Sequence, residues 1–144
     1  MSYENPIGVA VALVPVCKDG KRGLLGILRN NGVKGIALPG GYQDRLETTR
    51  RAAVRELREE TGLCIEEEDL VFFNEAVTLT NRCLFFWKYQ PNLWQYKGYA
   101  IPWENIEVLV YDPVEVLGLV FIDESTELCF PIHQEVARRF LKEL

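Results

Sequence analysis

The chain has 144 residues, 48% hydrophobic and 26% charged, the ordinary make-up of one soluble globular domain with a sizeable core. Its net charge of −5 argues against a broad electrostatic grip on a nucleic-acid backbone, which needs clustered lysine and arginine, although a metal can supply positive charge locally to a nucleotide ligand. No apolar run reaches the roughly 18 residues of a membrane helix, and Met1 to Pro6 lacks the basic and apolar regions of a signal peptide. Cys17, Cys64, Cys83 and Cys129 form no CxxC pair, so they read as buried, reduced thiols of a cytoplasmic protein rather than a disulfide or zinc framework.

Taken in order, Ile7 to Val16 is rich in Val, Ile and Ala and predicts a buried strand. Lys18-Asp19-Gly20-Lys21 supplies a hairpin turn, and Gly23 to Arg29 returns as the second strand. Asn30 to Gly35 is a loop, and Ile36-Ala37-Leu38 a short strand delivering the chain to Pro39-Gly40-Gly41. A helix is expected from about Leu46 to Thr61. At about 100° per residue, Leu46, Ala53, Val54 and Leu57 fall within one apolar sector. Glu56 and Glu60 stack along its edge, Glu59 adjoins them, and Arg51, Arg55 and Arg58 gather on the far side.

Glu66 to Asp69 reads as a solvated acidic loop, Leu70 to Thr80 as a strand, Asn81-Arg82 as a turn and Cys83 to Gln90 as another strand. The stretch from Pro91 to Pro102 is irregular and aromatic. Its Trp94, Tyr96 and Tyr99 can stack a base, at about 1–3 kcal/mol per ring, or cover the core or a dimer interface. Glu107 to Tyr111 reads as a strand, Asp112-Pro113 as a turn, Val116 to Ile122 as a strand, and Asp123 to Glu127 as a turn or short helical segment. Pro131 opens the last helix, with Ile132, Val136 and Phe140 as its core stripe. His133, the single histidine, sits in its first turn, where a lone histidine reads first as a structural residue. No P-loop pattern occurs, and no Ser, Cys or Lys has a recognisable partner for covalent catalysis.

The chemistry concentrates between Gly40 and Leu63. Like charges four residues apart repel, costing a few tenths of a kcal/mol per exposed pair, so Glu56, Glu59 and Glu60 together are unfavourable without cations. Carboxylate oxygens are what hard divalent ions such as Mg²⁺ take, with substrate phosphates completing the shell. The competing reading is a solvated charged face. The spacing weighs against it: Gly41, Glu47, Arg55, Glu56, Leu57, Glu59, Glu60, Gly62 and Leu63 occupy every fixed position of G-x5-E-x7-R-E-U-x-E-E-x-G-U, with U a bulky aliphatic residue. The stretch resembles the Nudix box. The order of hairpin, loop, Pro-Gly-Gly and helix extends the resemblance loosely to most of the chain.

The resemblance implies an α+β Nudix fold, an α/β/α sandwich with a mixed β-sheet between the box helix and a C-terminal helix, in one domain spanning the chain. It implies hydrolysis of a nucleoside diphosphate linked to another group X by water attack on phosphorus. Mg²⁺, with Mn²⁺ as a possible substitute, bridges phosphate oxygens and lowers the pKa of water. Carried over, Glu56, Glu59 and Glu60 form the metal and base cluster, Glu56 as ligand or base, and the Gly40 carbonyl adds a ligand. Arg55 orients a glutamate, with Glu47 its partner. A further glutamate comes from late in the chain, Glu115 first, then Glu104, Glu107 or Glu124. Trp94, Tyr96, Tyr99 and Arg29 make up the candidate substrate-binding set. A homodimer is possible, as in other members. The proline that some ADP-ribose-type members carry after the box is replaced by Thr78 and Leu79. The longer motif of NADH-type members is missing too. A nucleoside triphosphate, nucleotide sugar or dinucleotide remains. The alternatives are a Nudix-fold module that binds a nucleotide without turnover, against which the intact box counts, and a 5′-end RNA pyrophosphohydrolase, against which the acidic balance counts.

Overall fold

The structure, a computed structural model, describes residues 7–77, 81–88 and 100–143. The strand expected from Ile7 to Val16 is two strands. β1 (Ile7–Leu13) ends before Pro15, and β2 (Pro15–Lys18) belongs to a different sheet. Proline offers no N–H to a central ladder, so the chain changes sheets there. β2 turns into β3 (Lys21–Arg29) through Asp19 and Gly20, both at positive φ (51° and 78°), the conformation a tight two-residue hairpin demands.

β4 (Gly35–Ala37) pairs with β3, and β5 (Gly40–Tyr42) pairs with β1. Helix α1 (Thr49–Thr61) follows, then a single 3-10 turn, Glu67–Asp69, within the acidic run, then the antiparallel pair β6 (Leu70–Val77) and β7 (Asn81–Lys88). Next come β8 (Ile101–Pro102), the short helix α2 (Trp103–Glu107), β9 (Val116–Ile122) and α3 (Pro131–Glu143). The first sheet runs β5-β1-β7-β6; the second runs β4-β3-β2-β8, with β9 on β3. Both mix parallel and antiparallel pairings.

The two sheets lie between α1 and α3, and β1 shows how. Its Ala10 and Ala12 pack in clusters with Ala52, Ala53 and Leu57 of α1, while Val11 and Leu13 pack in a cluster with Val136, Ala137 and Phe140 of α3. Small residues on one face and branched ones on the other follow the period of two along a strand. The Ile132, Val136 and Phe140 stripe meets this core as expected.

Five expectations are corrected. α1 starts at Thr49, because the Thr48 hydroxyl accepts the Arg51 N–H at 3.1 Å and caps it. Leu46 lies before the helix at φ 68° and is fully exposed, so it takes no part in the apolar face. Asn81 and Arg82 are the first residues of β7 rather than a turn. The expected strand from Glu107 to Tyr111 is absent: Trp103 and Ile106, three apart, bury one side of α2, Leu109 joins their cluster, and Val108 and Val110 are exposed. All four cysteines are free, but only Cys83 is buried, with Cys64 exposed and Cys17 and Cys129 half-buried. No helix among the described residues is long and apolar enough to cross a membrane.

Candidate active site

Arg55 is the hub of the box, and it does not sit on the far side of the helix with Arg51 and Arg58. Its Nε and Nη2 donate to the two carboxylate oxygens of Glu47 at 2.8 and 3.0 Å, a bidentate clamp. Its Nη1 donates to Glu56 Oε1 at 3.0 Å and to Glu59 Oε2 at 3.2 Å, and Nη2 also donates to the Tyr42 carbonyl at 3.0 Å. Asp44 approaches Nε at 3.3 Å. The clamp lowers the Glu47 pKa below its ordinary value, and Glu47, with Glu56, raises that of Arg55. Gly41 has no room for a side chain: an added Cβ would stand 2.6 Å from Glu56 Oε1. Gly62, at φ 81°, ends α1 with its N–H on the Arg58 carbonyl, and an added Cβ there would run into the Val110 carbonyl oxygen.

Glu60 is in a different situation. Its Oε1 accepts the Gly40 N–H at 2.7 Å. Burial pushes its carboxyl up to about 8, and the nearby Glu56 and Glu115 carboxylates add to the rise against the Gly40 bond and Arg29. Burial also raises Glu56, against the pull of Arg55. Glu115 enters from the loop before β9. That loop is pinned by Asn30, whose N–H donates to the Glu115 carbonyl at 3.0 Å and whose Nδ2 donates to the Val114 carbonyl at 3.0 Å. Asn30 had no signal in the sequence, since its partner lies 84 residues away.

Gly40, Gly41, Glu56, Glu60 and Glu115 line one cleft of about 570 Å³ with Arg29, Tyr42, Phe130 and His133. Glu47, Arg55 and Glu59 do not line it; Glu47 and Arg55 stand behind Glu56, and Glu59 is held by the same Arg55. Glu104, Glu107 and Glu124 are also outside the lining. Trp94, Tyr96 and Tyr99 lie outside the described residues. Arg29 lies over the Phe130 ring, 4.9 Å from its centroid, and Nη2 donates to the Asn31 carbonyl at 3.3 Å. Phe130 is a lining residue that sequence reasoning missed, though it directly precedes the helix-opening Pro131. His133 accepts the Leu38 N–H on Nδ1 at 3.2 Å, and burial, with Arg29, lowers its pKa to about 4.

The donor set fits a hard divalent cation: several carboxylate oxygens, and one buried acid whose charge the protein leaves largely unmatched. Among the described residues no three His, Cys, Asp or Glu side chains stand close enough to enclose an ion as they lie. Glu56 and Glu59 are turned onto Arg55, and Glu60 onto the Gly40 N–H.

The NUDIX domain model matches residues 6–143, and the chain belongs to that family. Its fold is similar to that of a MutT Nudix hydrolase from Burkholderia pseudomallei, at a TM-score of 0.66 and 19% identity over 93% of this chain and 97% of that one. A MutT/Nudix family protein from Listeria innocua gives 0.64 and 24% over 96% and 95%. An ADP-ribose pyrophosphatase from Methanocaldococcus jannaschii is 41% identical over 70 residues, which are 48% of this chain and 41% of that protein. The likeness thus spans less than half the length of this curated relative.

Proposed function

We propose that this chain is a Nudix pyrophosphohydrolase that cleaves, with Mg²⁺ or Mn²⁺, the diphosphate of a small nucleotide in which a nucleoside diphosphate is linked to a second group. The observation that carries the reading is Glu60, a buried carboxyl pushed up to about 8 in a cleft that Glu56, Glu115 and Gly40 also line. A metal would be held by Glu56, Glu59 and Glu60 with the Gly40 carbonyl. When bound, it supplies charge neutralisation at phosphate oxygens and acidifies water.

The chain's own residues do the rest. Glu47 and Arg55 hold Glu56 and Glu59 in register. Glu56 or Glu115 accepts the proton that water loses as its oxygen bonds to phosphorus and the bridging oxygen leaves with the second phosphate. Arg29, in the same cleft lining, binds a negatively charged part of the substrate. Tyr42 and Phe130 offer aromatic surface to its base or sugar. The local likeness to an ADP-ribose pyrophosphatase supports placing ADP-ribose first among the candidates, although Thr78 and Leu79 stand where some ADP-ribose-type members have proline.

The test is a panel of ADP-ribose, nucleoside triphosphates, nucleotide sugars and dinucleoside polyphosphates, each with Mg²⁺ and with chelator, followed by product identification. The expected result is two phosphate-bearing products from at least one compound in Mg²⁺ and none in chelator. Tight calorimetric binding of a panel member that stays intact would overturn the reading in favour of a binding module.

A further inference from the structure

We propose that His133 is a positioning residue for the candidate metal site, acting through the backbone crossing at Leu38 and Pro39 rather than on substrate. The proposal rests on the reading of Gly40 and Glu60 as metal-side groups. Between β4 in the second sheet and β5 in the first, the chain has only these two residues, and both are buried. A buried backbone N–H needs a partner. Pro39 has none to satisfy, and its carbonyl accepts the Ala12 N–H at 2.9 Å. The two donors that flank it are both taken by side chains. Leu38, 1% exposed, gives its N–H to His133 Nδ1 of α3, and Gly40 gives its N–H to Glu60 of α1. The crossing is thus tied to both helices, and the tie to α3 is the imidazole.

The imidazole is itself held. The Phe85 and Phe130 rings lie 5.8 and 5.0 Å from it, centroid to centroid. The next residue, Gln134, accepts the Leu128 N–H at 2.7 Å and donates to the Thr126 carbonyl at 3.0 Å, while the Cys129 N–H reaches the Ile36 carbonyl of β4 at 2.8 Å. An imidazole accepting on Nδ1 and neutral carries its proton on Nε2. Losing that acceptor would leave the Leu38 N–H without a partner in an apolar setting, two residues from the backbone that fixes Glu60.

Amide hydrogen exchange on the metal-free protein tests this in wild type, His133→Asn, His133→Gln and His133→Leu. Asparagine puts an oxygen near the Nδ1 position; glutamine puts its amide near Nε2 and leaves Nδ1 vacant. The expected result is exchange at Leu38 and Gly40 roughly tenfold or more faster in the Gln and Leu variants, with Asn close to wild type. Turnover in Mg²⁺ should follow the same order through kcat, with KM for the nucleotide little changed. Wild-type exchange in the Gln and Leu variants, or an Asn variant no better than Leu, would overturn the proposal. Nitrogen NMR of the wild-type imidazole needs no variant: the Nε2–H tautomer is expected, and Nδ1–H would overturn it. If wild type cleaves nothing, the turnover arm falls with the proposed function, while exchange and tautomer still decide the tie.

Discussion

The acids of the box sit in two settings, and they are built on opposite principles. Around Arg55, the carboxylates of Glu47, Glu56 and Glu59 share one guanidinium, and the Glu47 pKa is lowered. Five residues further on, Glu60 is pushed up to about 8 by burial, with two more carboxylates adding to the rise against the backbone N–H it accepts. A site with its own cation keeps its shape without help. A buried acid without one holds its charge only when a cation arrives from outside. Glu47 and Arg55 read as scaffold that holds Glu56 and Glu59, and Glu60 as the acid that waits for a cation.

The largest expected effect is at the second. Glu60→Gln should cut turnover in Mg²⁺ by about a hundredfold or more, measured as product release. The same substitution should leave the metal-free melting temperature unchanged or higher, since the amide is uncharged and can still accept the Gly40 N–H. Arg55→Lys tests the first setting. A point charge cannot reproduce the fork to Glu47 while also reaching Glu56 and Glu59, so unfolding should cost about 1–3 kcal/mol less in denaturant titration. An unchanged midpoint would break the contrast. Glu47→Gln keeps the shape but weakens a charge-assisted pair, and about 1 kcal/mol of lost stability is expected from the same measurement.

The last effect is a dependence on pH, with its sign set by both buried groups. Glu60 titrates at about 8 in the folded chain against an ordinary 4.5, so between those values the folded state keeps a proton the unfolded state has lost. Stability of the metal-free protein then falls as pH rises, by up to about 1.4 kcal/mol per unit. His133, lowered to about 4 from 6.5, works the other way between those values. The two oppose each other from 4.5 to 6.5, with the raised Glu56 acting in the same direction as Glu60. The decline from Glu60 should therefore stand clear between pH 6.5 and 8 in thermal melts, and Glu60→Gln should remove it.

Much of the site was legible because side-chain spacing on one helix encodes it. The glutamates of the box sit where the pattern set them, and the Asp19-Gly20 turn and Pro131 start follow from local chemistry. The box pattern paired Arg55 with Glu47 as found, but the helical wheel set it on the far side because it treats a side chain as a radial spoke, whereas a guanidinium on a long stem reaches back. The start of α1 was misread because Leu46 suits an apolar stripe and the Thr48 cap was passed over. At residues 108 to 110 the valines suggest a strand, but only tertiary packing tells that Leu109 is the one held by the core. The sheet change at Pro15 had a local sign in the proline itself, whereas the tie from Asn30 to the Glu115 loop joins distant segments, and local sequence carries no record of such a contact.

The central claim is that Glu60 marks where an external cation binds. Calorimetric titration of Mg²⁺ into wild-type protein and into Glu60→Gln, both with the same non-hydrolysable nucleotide, tests it most directly. Saturable binding in wild type that is lost or weakened at least about tenfold in the variant is predicted. Equal Mg²⁺ affinity in the two proteins would contradict it.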